Sequence, residues 1–253
     1  MKASSRLTVG TDARRWPVPT TLHAEAPLLL RVTDQSCTGL TVHLVGGAAG
    51  PLGGDRLELA ITVADRARLT VRSVAASLAQ PGREPASVST IDVRVANEAH
   101  IDWWPQPTLS IARSDHTMRT TIALDGRASM RWVDEVVLGR TGERSGRLTV
   151  EQRVTVDGSP ILCHRATFDP AHAGAGRHGN ARAVVTALVV GPAACDSRSI
   201  VSPSVKAARF AISPTATSWI GLGDDIDEVR STLIDLLGLG RPSLPVSGFI
   251  SDG

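Results

Sequence analysis

The sequence predicts a mainly β protein: stacked, solenoid-like (β-helical) antiparallel strands with few helices, including a C-terminal helix near residues 224–238. Three observations carry that expectation. Apolar side chains recur at every second position through the first two thirds of the chain, Gly, Asp, Asn and Pro punctuate the runs, and one strand–turn–strand unit repeats about every 30 residues.

The runs justify themselves in order. Leu57, Leu59, Ile61 and Val63 share a face, as do Leu69 and Val71; Ile91, Val93 and Val95 follow, then Ile101 and Trp103. Ile122 with Leu124, Leu148 with Val150, and Val154 with Val156 continue the pattern, which marks strands with one buried face. Laid over one another, Val63-Ala-Asp-Arg-Ala67-Arg-Leu69, Val95-Ala-Asn-Glu-Ala99-His-Ile101 and Leu124-Asp-Gly-Arg-Ala128-Ser-Met130 match, and Val156-Asp-Gly-Ser-Pro160-Ile-Leu162 matches more loosely. Val63, Val95, Leu124 and Val156 lie 32, 29 and 32 positions apart. Two strands alone are marginal in water, so such units must stack to bury a continuous apolar face. The segment VRSVAASLAQ (71–80) is ambiguous between strand and helix. In DDIDEVRSTLIDLLG, Asp224 is the expected N-cap, and Asp227 and Glu228 fall in the first turn where the helix dipole favours acids. Ile226, Val229, Leu233, Leu236 and Leu237 form one apolar stripe, and Gly238 ends the helix.

Composition excludes several function classes. With 253 residues, 42% hydrophobic and 21% charged, the chain is globular and expected to form a single domain over 1–253, with 1–20 and 241–253 as flexible ends. No run of 18 uncharged apolar residues could span a membrane, and MKASSRLTVGTDARRW lacks the apolar core of a secretory signal. Cys37, Cys163 and Cys195 are too few and too scattered for a disulfide framework, so a reducing, cytoplasmic setting is expected. Lys2 and Lys206 are the only lysines among 27 basic residues and neither follows a glycine, which excludes a P-loop. A net charge of +2, arginines alternating with acids, and 3% aromatics give no footprint for nucleic acid.

Catalytic and metal motifs are equally sparse. Cys163 and His164 are strand neighbours whose side chains point to opposite faces, and His172 and His178 flank a glycine-rich loop without enough ligands to close a site. GAGRHG (174–179) fits G-x-G-x-x-G by spelling, but it feeds a β-branched run and not a helix. No G-x-S-x-G elbow occurs. Gly53-Gly54-Asp55 reads as a tight turn. Trp104 faces away from Ile101 and Trp103, either towards a second packing layer or towards a partner. Glu135, Arg140, Glu143 and Arg144 gather around three glycines in a polar loop, a solvated turn or a channel or partner contact.

Those turns and strand ends fall into one family's order. The chain resembles the urease accessory protein UreD (UreH) family in its actinobacterial form. The family's opening block appears as GPLGGDRLELAITV (50–63), the alternating strand and P-G pair as LTVRSVAASLAQPG (69–82), and the W-x-P-x-P signature, overlapping, as Trp104-Pro105-Gln106-Pro107. The L-G-R block stands at Glu135-Val-Val-Leu138-Gly139-Arg140-Thr-Gly-Glu143, and the D-G-x-P-L-L turn at Asp157-Gly158-Ser159-Pro160-Ile161-Leu162. The likeness covers roughly residues 27–238. It departs at RSVAASLAQ, where many members carry T-T-Q-x-A-x-K-x-Y/F, and in a long Gly- and His-rich loop from Pro170 to Asn180.

The resemblance implies a scaffold and not an enzyme. Such proteins bind the accessory protein UreF and, through it, the GTPase UreG, and dock on apo-urease to assist nickel insertion. No tightly bound cofactor is implied, and nickel is handled transiently. An internal water-filled passage is the family's proposed nickel route. On that basis Asp55, Glu135 and Glu143 are expected to contact nickel in passing, and Trp104 and Arg140 to meet a partner. A hydrolase on a β scaffold with an unrecognised site and a nickel store are the alternative readings.

Overall fold

The computed structural model describes residues 1–84, 86–172, 181–191 and 197–237. The chain opens with two antiparallel pairs, β1 (Lys2–Thr11) with β2 (Pro17–His23) and β3 (Leu28–Ser36) with β4 (Gly39–Gly46), one pair in each of two facing sheets. It then winds between the sheets. β5 (Arg56–Val63) lies in the first sheet and β6 (Arg68–Ser73) in the second. A short β7 (Ser77–Ala79) leads on to β8 (Ala86–Val95) in the first and β9 (His100–Trp103) in the second. After β10 (Thr108–Ser110), β11 (Asp115–Leu124) and β12 (Ser129–Leu138) make the last full coil. β13 (Arg147–Val156) and β14 (Ser159–Phe168) close the first sheet. The second is extended by β15 (Ala183–Val190), β16 (Arg198–Val201), β17 (Val205–Ser213) and β18 (Ala216–Gly223), and α1 (Ile226–Leu237) packs on β18, β15 and β17.

The solenoid-like stack is as the sequence predicts, but within it the strands are parallel. β1, β5, β8, β11 and β13 run parallel to their neighbours, as do β4, β6, β9 and β12; antiparallel pairing is confined to the two ends. The reason lies in the repeated turn. It hands the chain to the opposite sheet instead of folding it back beside itself, so each return to a sheet runs in the original direction. The turn closes identically three times, with N–H to carbonyl bonds from Ala67 to Ala64 (3.0 Å), Ala99 to Ala96 (3.1 Å) and Ala128 to Asp125 (2.9 Å). The three alanines are buried between the sheets where they converge. Arg66 and Glu98 hold left-handed φ values of 61° and 59° in the first two turns, whereas in the third the left-handed residue comes one position earlier, at Gly126 with 52°. The fourth match, Asp157-Gly158, behaves differently: it is a hairpin joining β13 to β14 within one sheet, and it ends the winding.

Residues 1–20 are not a loose end, since β1 pairs with both β2 and β5. The ambiguous segment 71–80 is strand, bend, then β7, with Val74 exposed. The helix cap sits one residue later than expected: Asp225 Oδ1 accepts the N–H groups of Asp227 (2.8 Å) and Glu228 (3.0 Å). Val229 and Leu233 are fully buried against the outer face of the second sheet, while the Leu237 side chain and Gly238 lie outside the described residues. Between the sheets the alternating faces meet in one cluster that runs from Leu7 through Leu59, Leu69, Ile101 and Ile122 to Leu188. Trp103 and Trp132, in register on β9 and β12, stack with centroids 4.4 Å apart.

Because Ala99 is fully buried at the turn, Ala99→Leu should overpack it and cost about 1–3 kcal/mol. Urea unfolding measures this, and an unchanged midpoint would show that the turn does not constrain the stack.

Candidate functional site

At the end of the strands away from the tight turns, the sheets are joined by the longer connections that carry β7 and β10. There the coils also stack. β7 pairs with β10 and β10 with β12, while Leu52 bridges Gln80. Gly53 and Gly82 touch backbone to backbone: a Cβ on Gly53 would stand 2.7 Å from the Gly82 nitrogen, so both positions need glycine. Gly54 beside them has φ of 93°.

Here lies a cavity of about 380 Å³, walled by apolar side chains such as Leu57, Ile91, Trp103 and Met118, with His116 and Asp134 as its ionisable groups. Asp134 lies on β12 between inward-facing Trp132 and Val136. Burial pushes its carboxyl up to about 6, with the charge of neighbouring Glu135 adding to the rise. The indoles of Trp132 and Trp103 act in the opposite sense. Only the Trp132 N–H makes a hydrogen bond of good geometry, at 2.9 Å. His116, whose Nδ1 lies 2.8 Å from Ser87 Oγ, is pulled down to about 4 by burial, against a hydrogen bond to the Ser87 backbone and the charge of Asp55, so its imidazole is neutral at pH 7.

The residues singled out from the sequence do not meet in this cavity, and none of Asp55, Glu135 and Glu143 lines it. Asp55 is buried in its turn, taking the Leu52 N–H at 2.9 Å on Oδ2 and the Met1 ammonium at 2.6 Å on Oδ1. Glu135 is 2% exposed on the far side of the sheet, beneath α1. It accepts Trp104 Nε1 at 2.8 Å and the Arg230 guanidinium at 2.8 and 2.6 Å, so both oxygens are engaged. Glu143 accepts the Arg140 N–H at 3.3 Å in the loop after β12. Arg140 is exposed, and its carbonyl receives the Arg182 guanidinium. Trp104 is 4% exposed, in the layer under α1, with the Arg131 guanidinium 5.5 Å from its ring centroid. Cys163 is exposed on β14, and His178, Cys195 and the GAGRHG loop lie outside the described residues.

Sequence reasoning missed Asp134 and His116. The signal was available for Asp134: alternation through Met130, Trp132, Val136 and Leu138 puts it on the inward face and Glu135 on the outward one. Among the described residues no three His, Cys, Asp or Glu side chains come together to hold a metal ion. Ser87 with His116, Ser129 with His100 and Thr33 with His43 form hydroxyl–imidazole pairs. Burial lowers the basicity of all three imidazoles, which makes them poor general bases.

A family model described as the UreD urease accessory protein matches residues 1–247. The chain belongs to the UreD family. It is 38% identical over 199 residues to the urease accessory protein UreD of Streptomyces coelicolor, covering 76% of this chain and 78% of that one. It is 33% identical to the UreD of Frankia alni, covering 85% of each chain. To the UreD of a Parafrankia species it is 34% identical over 269 residues, 96% of this chain and 90% of the relative. The winding β stack with its coil turns and helix-backed second sheet is therefore the form this UreD sequence takes, and the protein has a role in urease maturation.

Two tests follow from the geometry. Glu135→Ala strips a buried carboxylate from Arg230 and Trp104 and should cost about 3–5 kcal/mol. Hydrogen exchange should accelerate in α1 before the β core, and uniform exchange would contradict the clamp. The second concerns pH. The unfolded chain releases the Asp134 proton near pH ~3.9 and the folded one near 6, so this group's contribution to stability falls as pH rises between those values. His116 acts oppositely, its contribution being lost as pH falls from ~6.5 towards 4. Asp134→Asn should thus be more stable than the wild type at pH 7, by on the order of 2 kcal/mol, with the gap closing near pH 4. Urea unfolding across that range reads it, and a gap independent of pH would refute the assignment.

Proposed function

We propose that this protein is a non-catalytic scaffold of urease maturation that works in the cytoplasm. It binds UreF- and UreG-like accessory proteins and apo-urease and assists nickel insertion into the urease site. The observation that carries the reading is the match to the UreD family model over residues 1–247. A second observation bears on the nickel. The cavity offers one neutral imidazole and one carboxyl of raised pKa, with no clustered third ligand among the described residues. Borderline nitrogen and hard oxygen donors in so small a number suit an ion that is held weakly and released. Asp134 and His116 are therefore better placed than Asp55, Glu135 and Glu143 to touch nickel in transit. The last three are bound up in turns and an ion pair.

Co-expression with a UreF-like protein, followed by size exclusion with light scattering, tests the scaffold role. A stable mixed complex is expected, and a soluble monomer that ignores UreF would overturn it. Nickel handling is tested in a strain lacking the native gene. Asp134→Ala and His116→Ala should lower the nickel content of urease several-fold while the complex still assembles. Urease loaded to the wild-type level would remove both residues from the path.

A further inference from the structure

The first sheet has one face against the core and one facing out. Its seven strands run in the order β14, β13, β11, β8, β5, β1, β2. Val18 and Val88 are the large apolar residues at its outward positions, and no Trp or Phe stands among them. Those positions hold mostly Thr and charged side chains, because every second residue of each strand points away from the core. Lys2 and Arg6 on β1, Arg56 on β5, Arg94 on β8 and Arg153 on β13 are all exposed, and none makes an ion pair among the described residues. Three further arginines on the face do pair: Arg119 with Glu151 at 2.9 Å, Arg165 with the same Glu151 at 3.4 Å, and Arg147 with Asp115 at 3.8 Å. Glu58 and Asp92 are the remaining acids at outward strand positions.

Eight cations against four acids leave +4 on one face of a chain whose whole formal charge is +2, so the rest of the chain sums to −2. The face is also wide. Seven strands at about 4.8 Å and seven to ten residues at about 3.3 Å give roughly 800–1,100 Å², at least the share of about 800 Å² that one partner contributes to an ordinary protein–protein interface. Threonines such as Thr62, Thr90, Thr121 and Thr155 stand between the arginines.

We infer that this outward face of the seven-stranded sheet is a docking surface for an acidic face of a protein partner, a reading that rests on the maturation role proposed above. The charge selects the partner's chemistry. A second copy of this chain related by a two-fold axis would present the same positive face and be repelled, and a nucleic acid would find no aromatic side chain on which to stack bases. Because the cations stand at the surface and are not desolvated, they act mainly by steering encounter, and the contact weakens with added salt.

The test uses the full chain with co-purified UreF-like protein and apo-urease, measuring association at low and high salt. It compares the wild type, the reversal variant R56E/R94E/R153E and the neutral variant R56Q/R94Q/R153Q. All three positions are exposed, and thermal unfolding checks that each variant folds. The expected result is association weakened about tenfold or more by the reversal and less by the neutral variant, with the difference shrinking at high salt. Equal association of wild type and reversal variant would overturn the docking face and leave the maturation role standing. A wild type that associates with no urease component would overturn the maturation role and the docking face with it. Phosphatidylserine vesicles and duplex DNA serve as competing probes. Capture of either that is lost in the reversal variant, with protein assembly intact, would also overturn the protein occupant.

Discussion

Everything else in this molecule hangs on a four-residue turn that closes on a buried alanine. Each copy reverses the chain from one sheet to the other, and its carbonyls also receive the next coil. The N–H of Ala96 bonds to Val63 O at 2.9 Å, Asp125 N–H to Val95 O at 3.0 Å and Asp157 N–H to Leu124 O at 2.9 Å. The turns therefore form a ladder of their own along the edge where the sheets converge. Glu98 ties that edge further, receiving Arg66 from the coil before it at 3.1 Å and Arg127 from the coil after. These exposed pairs contribute little individually. The backbone ladder and the buried methyl groups set the spacing, and the parallel order of both sheets follows from them.

The same geometry explains why a cavity exists at all. Ala67, Ala99 and Ala128 are buried where the tight turns join the sheets, whereas at the other end connections of varied length join them. Side chains fill most of the space between the sheets, as the stacked Trp103 and Trp132 do. What is left over is bounded by strand ends, and its two ionisable groups take their unusual proton affinities from that half-filled interior. On the opposite side of the second sheet, Glu135 solves a different problem. α1 buries its apolar stripe, and Arg230 is drawn in with it. Glu135 neutralises that guanidinium and satisfies the Trp104 indole at the same time. An isolated buried carboxylate would be costly there, and the triad removes the cost.

Much of this was legible in the sequence, for reasons that can be named. The period-two runs and the repeat from Val63 to Met130 identified the strands and turns because burial on one face leaves a strict local signature. The direction of pairing left no such mark: whether a turn folds back in its own sheet or crosses to the other depends on where the next coil lands. Val156-Asp-Gly-Ser resembles Leu124-Asp-Gly-Arg in spelling, yet one is a hairpin and the other a crossing. The site was harder still. Family blocks pointed to Glu135, whereas the cavity belongs to its neighbour Asp134, and only parity within β12 separates them. His116 became a cavity residue through the register of β11 against Ser87 on β8, a long-range pairing that no window of sequence contains.

Charge is the case in which the sequence misleads most directly. Read linearly, arginines alternate with acids and the sum is close to neutral, which describes a solvated mixed surface. Folding sorts them. A strand residue is assigned to core or solvent by parity alone, and the winding collects every outward residue of seven strands onto one plane. Acids such as Asp65, Asp125 and Asp157 fall in turns at the edge, and Asp224, Asp225, Asp227 and Glu228 gather at the start of α1, while most of the arginines of β5, β8, β11 and β13 fall on the plane. The field that a partner meets is thus a property of the stack and not of the composition. Any chain built from alternating strands can hide a strongly signed face behind a net charge near zero, and the place to look for it is the sheet face that no other layer covers.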